Sequence, residues 1–347
     1  MDIKGVSSGL IFLFIGLNLF WFSNTLMAAD LERKIVVYST HTESMLEAVA
    51  DEFEKHTNVT VDFINLKGAL AERVRAEKAN PQSDVMYGGP SSIYLELKAE
   101  GLFEAFSPSW AAQVDPLFKD SQDYWHGTIQ TPVLMFYNSE MLKKEEAPRD
   151  WSDLSRPEYK DRLVFRNALS SSARATYSSL LQQFEKKGRI SQGWEFLKAV
   201  DANTKRYYGS GSLLFQSLGR KEAAISFMVL NAVIDNKIKN KMPLEVIDAK
   251  SGSPVITDGI ALIKGAKHPN AAKAFIDFAG GAEMQAMLAN RFNRLPTHPV
   301  AIADAPPWMA DIKFRVMDVD WGALAAKQSA WMQKWDAEIK DHGKDRK

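Results

Sequence analysis

Four short segments of the sequence gather small hydroxyl side chains and glycines at points where a helix is expected to begin. They are Ser39-Thr40-His41-Thr42, Gly88-Gly89-Pro90-Ser91-Ser92, Ser170-Ser171-Ser172-Ala173 and Ser210-Gly211-Ser212. The first backbone N–H groups of a helix have no partner within the helix, and the helix dipole is positive there, so these segments can bind an anion. A Ser or Thr also caps a helix whatever the protein does, and for any one segment capping alone is an equal alternative. Four such segments together favour an anion site.

Charged and aromatic side chains near these segments can add to such a site. Arg166 and Arg174 flank the third segment, and a guanidinium pairs well with two oxygens of one ligand. His41 can donate to the same anion, and Tyr208 can stack on a ring. Each has a structural alternative, because arginines are mostly surface charges and aromatic residues mostly belong to the core.

The sequence around the first two segments alternates strands and helices. Strands are predicted over 34–39, 59–66 and 83–87, and helices over 43–56 and 68–79. This alternation indicates a parallel sheet, in which ligands bind beyond the carboxyl ends of the strands. The first two segments are therefore expected to face the same crevice.

A second series of strands and helices follows the first. Its predicted elements are a strand over 163–165, helices over 173–187 and 191–200, a loop over 207–212 and a strand over 224–228. Two long extended runs, 128–138 and 254–263, can carry the chain from one series to the other and back. The tail over 308–347 has large apolar residues at mostly helical spacing and is predicted to be packed helix.

These elements predict an α/β fold with two lobes. The lobes contain two parallel or mixed sheets flanked by helices, and a hinge of two strands joins them. We expect lobe 1 to comprise 30–133 and 257–304, and lobe 2 to comprise 134–256 and 305–347 with the C-terminal helices. A chain of 347 residues is longer than a single hydrophobic core usually organises, which agrees with two lobes.

The first 29 residues have the layout of a secretory signal peptide. Lys4 precedes a charge-free apolar run over 9–22, small residues follow it, and cleavage is predicted after Ala28 or Ala29. The run is shorter than the ~20 residues that a membrane-spanning helix needs. A retained membrane anchor is the alternative, because the basic region is thin and the residues before the cleavage site are not ideal.

The composition excludes several classes of function. The chain has no cysteine, and therefore no disulfide, no thiolate metal site, no cysteine nucleophile and no lipid on an N-terminal cysteine. An exported protein without such an anchor is expected to be free in the periplasm, with secretion into the medium as the alternative. The 43 basic and 43 acidic residues give a formal charge of zero, so nucleic acid is not an expected partner. We expect a monomer.

The sequence offers little support for an enzyme. It lacks a G-x-S-x-G elbow, an H-E-x-x-H motif and a Walker loop, and Gly209-Ser210-Gly211-Ser212 lacks the lysine of a phosphate-cleaving loop. We therefore predict no catalytic residue, no metal site and no cofactor. A phosphoester hydrolase with Ser39 as nucleophile and His41 as base is a remote alternative, since residues two apart on a loop rarely face each other.

Four stretches of the sequence carry a resemblance to a known family. They are VVYSTHTES (36–44), KGALAERVRAEKANPQSDVMYGG (67–89), WSDLSRPEYKDRLVF (151–165) and GAKHPNAAKAFIDFAGGAEMQAMLA (265–289). With them the chain resembles the extracellular solute-binding proteins of ATP-driven (ABC) importers, in particular the group similar to periplasmic ferric-ion binders. The resemblance implies a type II periplasmic binding fold, hinge closure on one small ligand, and an inner-membrane permease with its ATPase as partners.

The expected ligand depends on one departure from the pattern of that family. The iron binders have two adjacent tyrosines after the strand that matches 222–228, but this chain has Leu230-Asn231 in that region and no phenolate. Iron(III) prefers hard anionic oxygens, and Tyr207-Tyr208 lies too early in the chain to replace them. The resemblance therefore favours a phosphorylated metabolite, such as a sugar phosphate, a phosphonate or a phosphorylated vitamin, with ferric iron or an iron chelate as the alternative. The residues predicted to bind the ligand are Ser39, Thr40, His41, Thr42, Gly89, Ser91, Arg166, Ser171, Ser172, Ala173, Tyr208, Ser210, Gly211, Ser212 and Asn231.

Overall fold

The computed structural model of the protein describes residues 31–66, 69–168 and 170–341. The predicted signal peptide lies outside the described residues. Within the described ranges, no helix has both the length and the apolar character that crossing a membrane requires.

Strands and helices alternate along the described chain. The strands are β1 (Lys34–Ser39), β2 (Thr60–Asn65), β3 (Val85–Pro90), β4 (Phe103–Glu104), β5 (His126–Asn138), β6 (Leu163–Arg166), β7 (Thr204–Tyr208), β8 (Ile225–Val229), β9 (Leu244–Ile247), β10 (Val255–Ile263) and β11 (Leu295–Pro296). The helices are α1 (Glu43–Thr57), α2 (Leu70–Ala76), α3 (Ser91–Ala99), α4 (Ser171–Glu185), α5 (Ile190–Asn203), α6 (Gly211–Gly219), α7 (Leu230–Ile238), α8 (Pro269–Gly280), α9 (Ala282–Phe292), α10 (Pro307–Asp311) and α11 (Trp321–Glu338).

The first three strands form a parallel arrangement. β1 lies in the middle, with Val37 opposite Phe63 of β2 and Val85 of β3. β10 continues the sheet antiparallel to β3 and also pairs with β4 and β5. Val37 and Tyr38 of β1 belong to two different apolar clusters, so both faces of this strand are covered, as is typical of a parallel sheet. The parallel arrangement predicted for this part of the chain is confirmed.

β5 pairs with different strands along its two parts. Its first part pairs with β10, where Pro132 lies opposite Val255, and its second part pairs with β8, where Val133 lies opposite Val229. β9 pairs with the second part as well, and the order continues from β5 through β8 and β6 to β7. The chain returns beside this point, because the Val133 N–H donates to the Pro254 carbonyl at 2.9 Å.

The predicted elements are largely confirmed, with differences at their ends. The two long extended runs are β5 and β10. The helix predicted over 68–79 is shorter, since α2 ends at Ala76 and a turn leads to Pro81, where a helix is not expected to continue. β3 continues through both glycines to Pro90, and the Tyr207-Tyr208 pair lies in β7 rather than in a loop.

The C-terminal tail is helical only in part, so the prediction of a helix throughout was wrong. Residues 312–320 lie between α10 and α11 and are not helical. Their backbone is bound elsewhere: the Arg315 N–H donates to Asp248 at 2.8 Å. The Gln182 side chain donates to the Asp320 carbonyl at 2.8 Å and accepts from its N–H at 2.9 Å. α11 starts only after this segment.

The core beneath α4 is closed by α11. Trp335 is 1% exposed and stacks on Tyr177 of α4, with 4.7 Å between the ring centroids. The Tyr177 hydroxyl donates to the Arg166 carbonyl at 3.2 Å, at the end of β6. The indole of α11 therefore supports the contact that joins α4 to the end of β6.

Replacing Trp335 by Ala should remove this support. We expect Trp335→Ala to lower the free energy of unfolding by about 3–5 kcal/mol, as for other buried large aromatic residues. Trp331→Ala, on the same helix but only partly buried, should cost much less. Urea unfolding followed by fluorescence measures both, and equal losses in the two variants would count against this role of Trp335.

Candidate functional site

Four helices near the predicted ligand residues begin without a side-chain cap. The residues before α1, α3, α4 and α6 are Thr42, Pro90, Ser170 and Ser210, and none forms a side-chain cap hydrogen bond. Asp320, by contrast, caps α11. Side-chain capping therefore does not explain the hydroxyl segments, and the first N–H groups of these helices remain for solvent or a ligand. Other described helices, such as α8 and α9, also lack such a cap, so open ends alone do not define a site.

Arg166 places a positive charge beside the start of α6. It is the last residue of β6, and its Nε and Nη2 donate to the carbonyls of Tyr208 and Gly209 at 3.2 and 2.9 Å. Its Nη1 lies 3.3 Å from the position that a Cβ on Gly211 would take, at the first residue of α6. Burial lowers the pKa of Arg166, and no carboxylate of the described residues opposes that effect. The guanidinium is thus oriented by carbonyls while its charge is not neutralised.

The start of α4 combines buried and exposed small residues. The Ser170 and Ser172 hydroxyls lie 3.0 Å apart and share a hydrogen bond. Ser172 and Ala173 are buried, whereas Ser171 is exposed. Of the three predicted ligand residues in this segment, Ser171 is therefore the one whose hydroxyl is accessible.

The predicted residues of the β7–α6 turn lie around Arg166. Tyr208 is paired with Arg166 across the two strands, and Gly211 and Ser212 begin α6. The Tyr208 ring packs in the core, and its hydroxyl donates to Glu222 at 3.3 Å. Tyr208 thus contributes its carbonyl to the Arg166 side chain, while its ring packs in the core.

The loop after β1 is fixed by Ser39. This residue is fully buried, and its hydroxyl donates to the Tyr87 carbonyl at 2.6 Å and accepts from the His41 N–H at 3.0 Å. The hydroxyl thus acts as both donor and acceptor within the fold. Ser39 therefore shapes the loop that carries His41.

Two glycines at the end of β3 let this loop pack closely. Gly88 and Gly89 have φ angles of +88° and +91°, a region that side-chain-bearing residues rarely adopt. A Cβ on Gly88 would lie 2.7 Å from Nε2 of His41, and one on Gly89 would lie 3.7 Å from the Thr40 side chain. The predicted residues Thr40, His41 and Gly89 are therefore brought together. Ser91 follows as the buried first residue of α3, and Thr42 is exposed before α1.

His41 is a buried, neutral imidazole. It is 4% exposed, and its Nε2 has no hydrogen-bond partner among the described residues. Burial, and to a smaller extent the charge of Arg294, lowers the pKa of His41 to about 3. The ring is therefore uncharged at neutral pH, and its free nitrogen is left for a ligand or water.

Two charged residues near His41 were missed in the sequence. Asp258 lies in β10 and accepts a hydrogen bond from the Thr131 hydroxyl at 2.8 Å. Burial raises the pKa of Asp258, and the nearby Arg294 lowers it to a smaller extent. Asp258 could have been recognised in the sequence, because it is the charged residue within the apolar run of β10. No sequence pattern singles out Arg294, because only the pairing of β11 with β5 brings it near His41.

The predicted residues thus form two groups with one further member. One group surrounds Thr40 and His41, and the other surrounds Arg166. Asn231, at the start of α7, lines a small cavity with Thr131 and Arg294. Among the residues that the structure describes, no three His, Asp, Glu or Cys side chains gather as a protein metal site requires.

This mixed sheet, with helix ends and an unpaired cation at its strand ends, is the architecture of a two-lobed binding protein. A family model for bacterial extracellular solute-binding proteins matches residues 81–321. A probable ABC transporter periplasmic-binding protein of Sinorhizobium fredii is 32% identical over 283 residues, which are 79% of this chain and 77% of that protein. The chain therefore belongs to the bacterial extracellular solute-binding proteins, as the periplasmic component of an ABC transporter that acts with a permease and an ATPase.

Other relatives differ in the ligands that they are named for. A putative 2-aminoethylphosphonate-binding periplasmic protein of Salmonella typhimurium is 25% identical over 315 residues, 88% of each chain. AfuA of Actinobacillus pleuropneumoniae, solved with fructose-6-phosphate, is 26% identical with a TM-score of 0.72, covering 89% of this chain and 99% of that one. The apo ferric ion-binding protein A of Pasteurella haemolytica has a TM-score of 0.79 at 19% identity, covering 90% and 100%. All three are named as binding proteins.

The contact between Gly88 and His41 can be tested by adding a single methyl group. We expect Gly88→Ala to lower the free energy of unfolding by about 2–4 kcal/mol, because positive-φ strain and a clash with the His41 ring add together. Gly188→Ala is the matched control, since Gly188 has φ +68° and no atom within 4 Å of the added Cβ. Its loss should be smaller by at least about 1 kcal/mol. Equal losses of unfolding free energy in the two variants would mean that the His41 ring moves aside without destabilising the fold.

The low pKa of His41 makes stability depend on pH. Between the native pKa of about 3 and the reference value of 6.5, the unfolded chain binds a proton that the native state does not. The free energy of unfolding therefore falls as pH decreases through this window. In His41→Gln the slope between pH 4 and 6 should be shallower by about 1 kcal/mol per pH unit. Urea midpoints measure this, with exposed His56→Gln as the control, and unchanged slopes in both variants would contradict the assignment.

Proposed function

We propose that this binding protein captures a small phosphorylated organic anion, such as a sugar phosphate, a phosphonate or a phosphorylated vitamin, and delivers it to its permease. The observation that carries the proposal is Arg166, whose charge has no carboxylate partner in the described residues and which lies beside the start of α6. Phosphate oxygens accept bidentate hydrogen bonds from a guanidinium and from the first N–H groups of a helix. The phosphoryl group is held by Arg166 and by the starts of α4 and α6.

The chemistry of this site suits capture followed by release. At the phosphoryl group, the charge of Arg166 is joined by neutral donors, namely the helix N–H groups and the accessible hydroxyls of Ser171 and Ser212. Hydrogen bonds to charged groups contribute about 1.5–3 kcal/mol each. A few of them give micromolar binding without a cluster of cations that would hold the ligand too strongly.

The relatives with printed ligands support the same class of compound. AfuA is named with fructose-6-phosphate bound, and the Salmonella relative is named for 2-aminoethylphosphonate. Both compounds carry a phosphoryl group on an organic body. By chemical analogy, we propose the same class of ligand for this chain.

The tyrosines of β7 argue against ferric iron. Tyr207 donates to Asp201 at 2.8 Å and packs against Trp335, and Tyr208 donates to Glu222 at 3.3 Å. Burial raises the pKa of Tyr207 well above its usual value. A buried phenol with a raised pKa is a poor source of the phenolate that iron(III) prefers.

We also propose that the two lobes have the boundaries predicted from the sequence, and that the residues predicted from the sequence surround the ligand. Lobe 1 comprises 30–133 and 257–304, and lobe 2 comprises 134–256 and 305–347. The change of partner along β5, between Pro132 and Val133, supports a boundary at this point. Ligand binding between the two lobes would bring the His41 group and the Arg166 group to one molecule.

The proposed ligand class is tested with protein that has been unfolded, freed of ligand and refolded. Sugar phosphates, phosphonates, phosphorylated vitamins, inorganic phosphate and Fe(III)-citrate are compared by thermal shift, because a ligand of the native state raises its stability. At least one phosphorylated organic compound should raise the melting temperature. A shift with Fe(III)-citrate alone would overturn the proposal.

The role of Arg166 is tested by Arg166→Gln. Removing one charge-assisted contact should weaken binding of the best compound about 10- to 100-fold in calorimetry. Arg162→Gln is the matched control, because Arg162 is exposed immediately before β6. It should change the affinity less than about twofold. Equal effects of the two variants would remove Arg166 from the site.

A further inference from the structure

A second arginine, Arg294, has a side chain without a hydrogen-bond acceptor in the described residues. Its Nε is buried and has no partner. It follows α9 and immediately precedes β11, which pairs with β5. Arg294 lines the cavity that also contains Thr131 and Asn231. A buried guanidinium nitrogen without an acceptor costs free energy, unless water or a ligand supplies one.

Asp258 is an acidic residue near Arg294, but the two side chains do not form an ion pair. The charge of Arg294 lowers the pKa of Asp258 to a smaller extent than burial raises it. The Asp258 carboxylate instead accepts from the Thr131 hydroxyl at 2.8 Å and from the Gly89 N–H. Burial raises the pKa of Asp258. The Asp258 carboxylate thus binds the Thr131 hydroxyl, while Nε of Arg294 has no acceptor among the described residues.

His41 lies in the same region and is neutral. Its Nε2 is free, and the charge of Arg294 helps to lower its pKa, which keeps the ring uncharged. His41 therefore does not act as a second cation beside the guanidinium. A ligand group placed here meets one full positive charge in partly buried surroundings, where charges are screened less than in water.

We propose that Arg294 forms a second anion subsite, which takes a carboxylate or similar anionic group at the end of the ligand away from its phosphoryl group. This inference rests on the proposed function, because it assumes that Arg166 and the helix ends hold the phosphoryl group. The inference also goes beyond the proposed function, because the subsite selects phosphorylated acids and disfavours ligands with an ammonium group at the far end.

Three phosphonates with a two-carbon spacer test the subsite. They are 3-phosphonopropionate, which ends in a carboxylate, propylphosphonate, which ends in a methyl group, and 2-aminoethylphosphonate, which ends in an ammonium group. We expect the refolded protein to bind them in this order, with at least about tenfold between the first and the last. Calorimetry at low and physiological salt measures the affinities.

Two substitutions of Arg294 separate its charge from its packing. In Arg294→Gln the three affinities should converge to within about threefold, whereas Arg294→Lys should keep the order. Arg291→Gln, at an exposed position three residues earlier, is the matched control and should behave as the unchanged protein. Melting temperatures confirm that each variant is folded.

The outcomes distinguish this inference from the proposed function. Equal affinities, or a preference for 2-aminoethylphosphonate, in the unchanged protein would overturn the subsite and leave the phosphoryl site intact. Equal weakening of all three compounds in Arg294→Gln would place Arg294 at the phosphoryl group and also overturn the subsite. Binding of phosphate esters without binding of 3-phosphonopropionate would count against the subsite in the same way. If no phosphorylated compound binds at all, the proposed function fails, and the subsite fails with it.

Discussion

A guanidinium that is held by carbonyl oxygens instead of a carboxylate keeps a positive charge that no ion pair neutralises. Arg166 is in this state, because the Tyr208 and Gly209 carbonyls orient it. This geometry requires the register between β6 and β7, which places Arg166 opposite Tyr208. It also requires α4 to stay against the end of β6, through the hydrogen bond from Tyr177.

The alternation of strands and helices was predictable because each element carries its own local signal. The apolar run of β1, the helical spacing of α1 and the length of β5 are visible in a few consecutive residues. The segments around His41 and Arg166 were predictable for the same reason, since hydroxyl and glycine residues before a helix are a local pattern. The arrangement of helix starts at strand ends then follows from the topology of α/β folds.

The direction of individual side chains was not predictable in this way. Tyr208 and Ser39 lie at the right strand ends, yet the ring of Tyr208 packs in the core and the hydroxyl of Ser39 is used within the fold. Both outcomes depend on neighbours distant in the sequence. Arg294 was missed for the related reason that it reaches its position only through the pairing of β11 with β5. The short helix α2 and the extended stretch before α11 likewise reflect local turns and long-range hydrogen bonds that spacing does not encode.

The change of pairing along β5 occurs at a residue with no N–H. Pro132 lies opposite Val255 on one side of this change, and Val133 lies opposite Val229 on the other. Because proline has no N–H, Pro132 itself donates no hydrogen bond to a neighbouring strand, whereas the next residue, Val133, donates to the Pro254 carbonyl. The pairing of β5 with β10 also shifts register between Asp258 and Gly259. Any other amino acid at position 132 would introduce a backbone N–H that needs an acceptor at the point where the pairing of β5 changes.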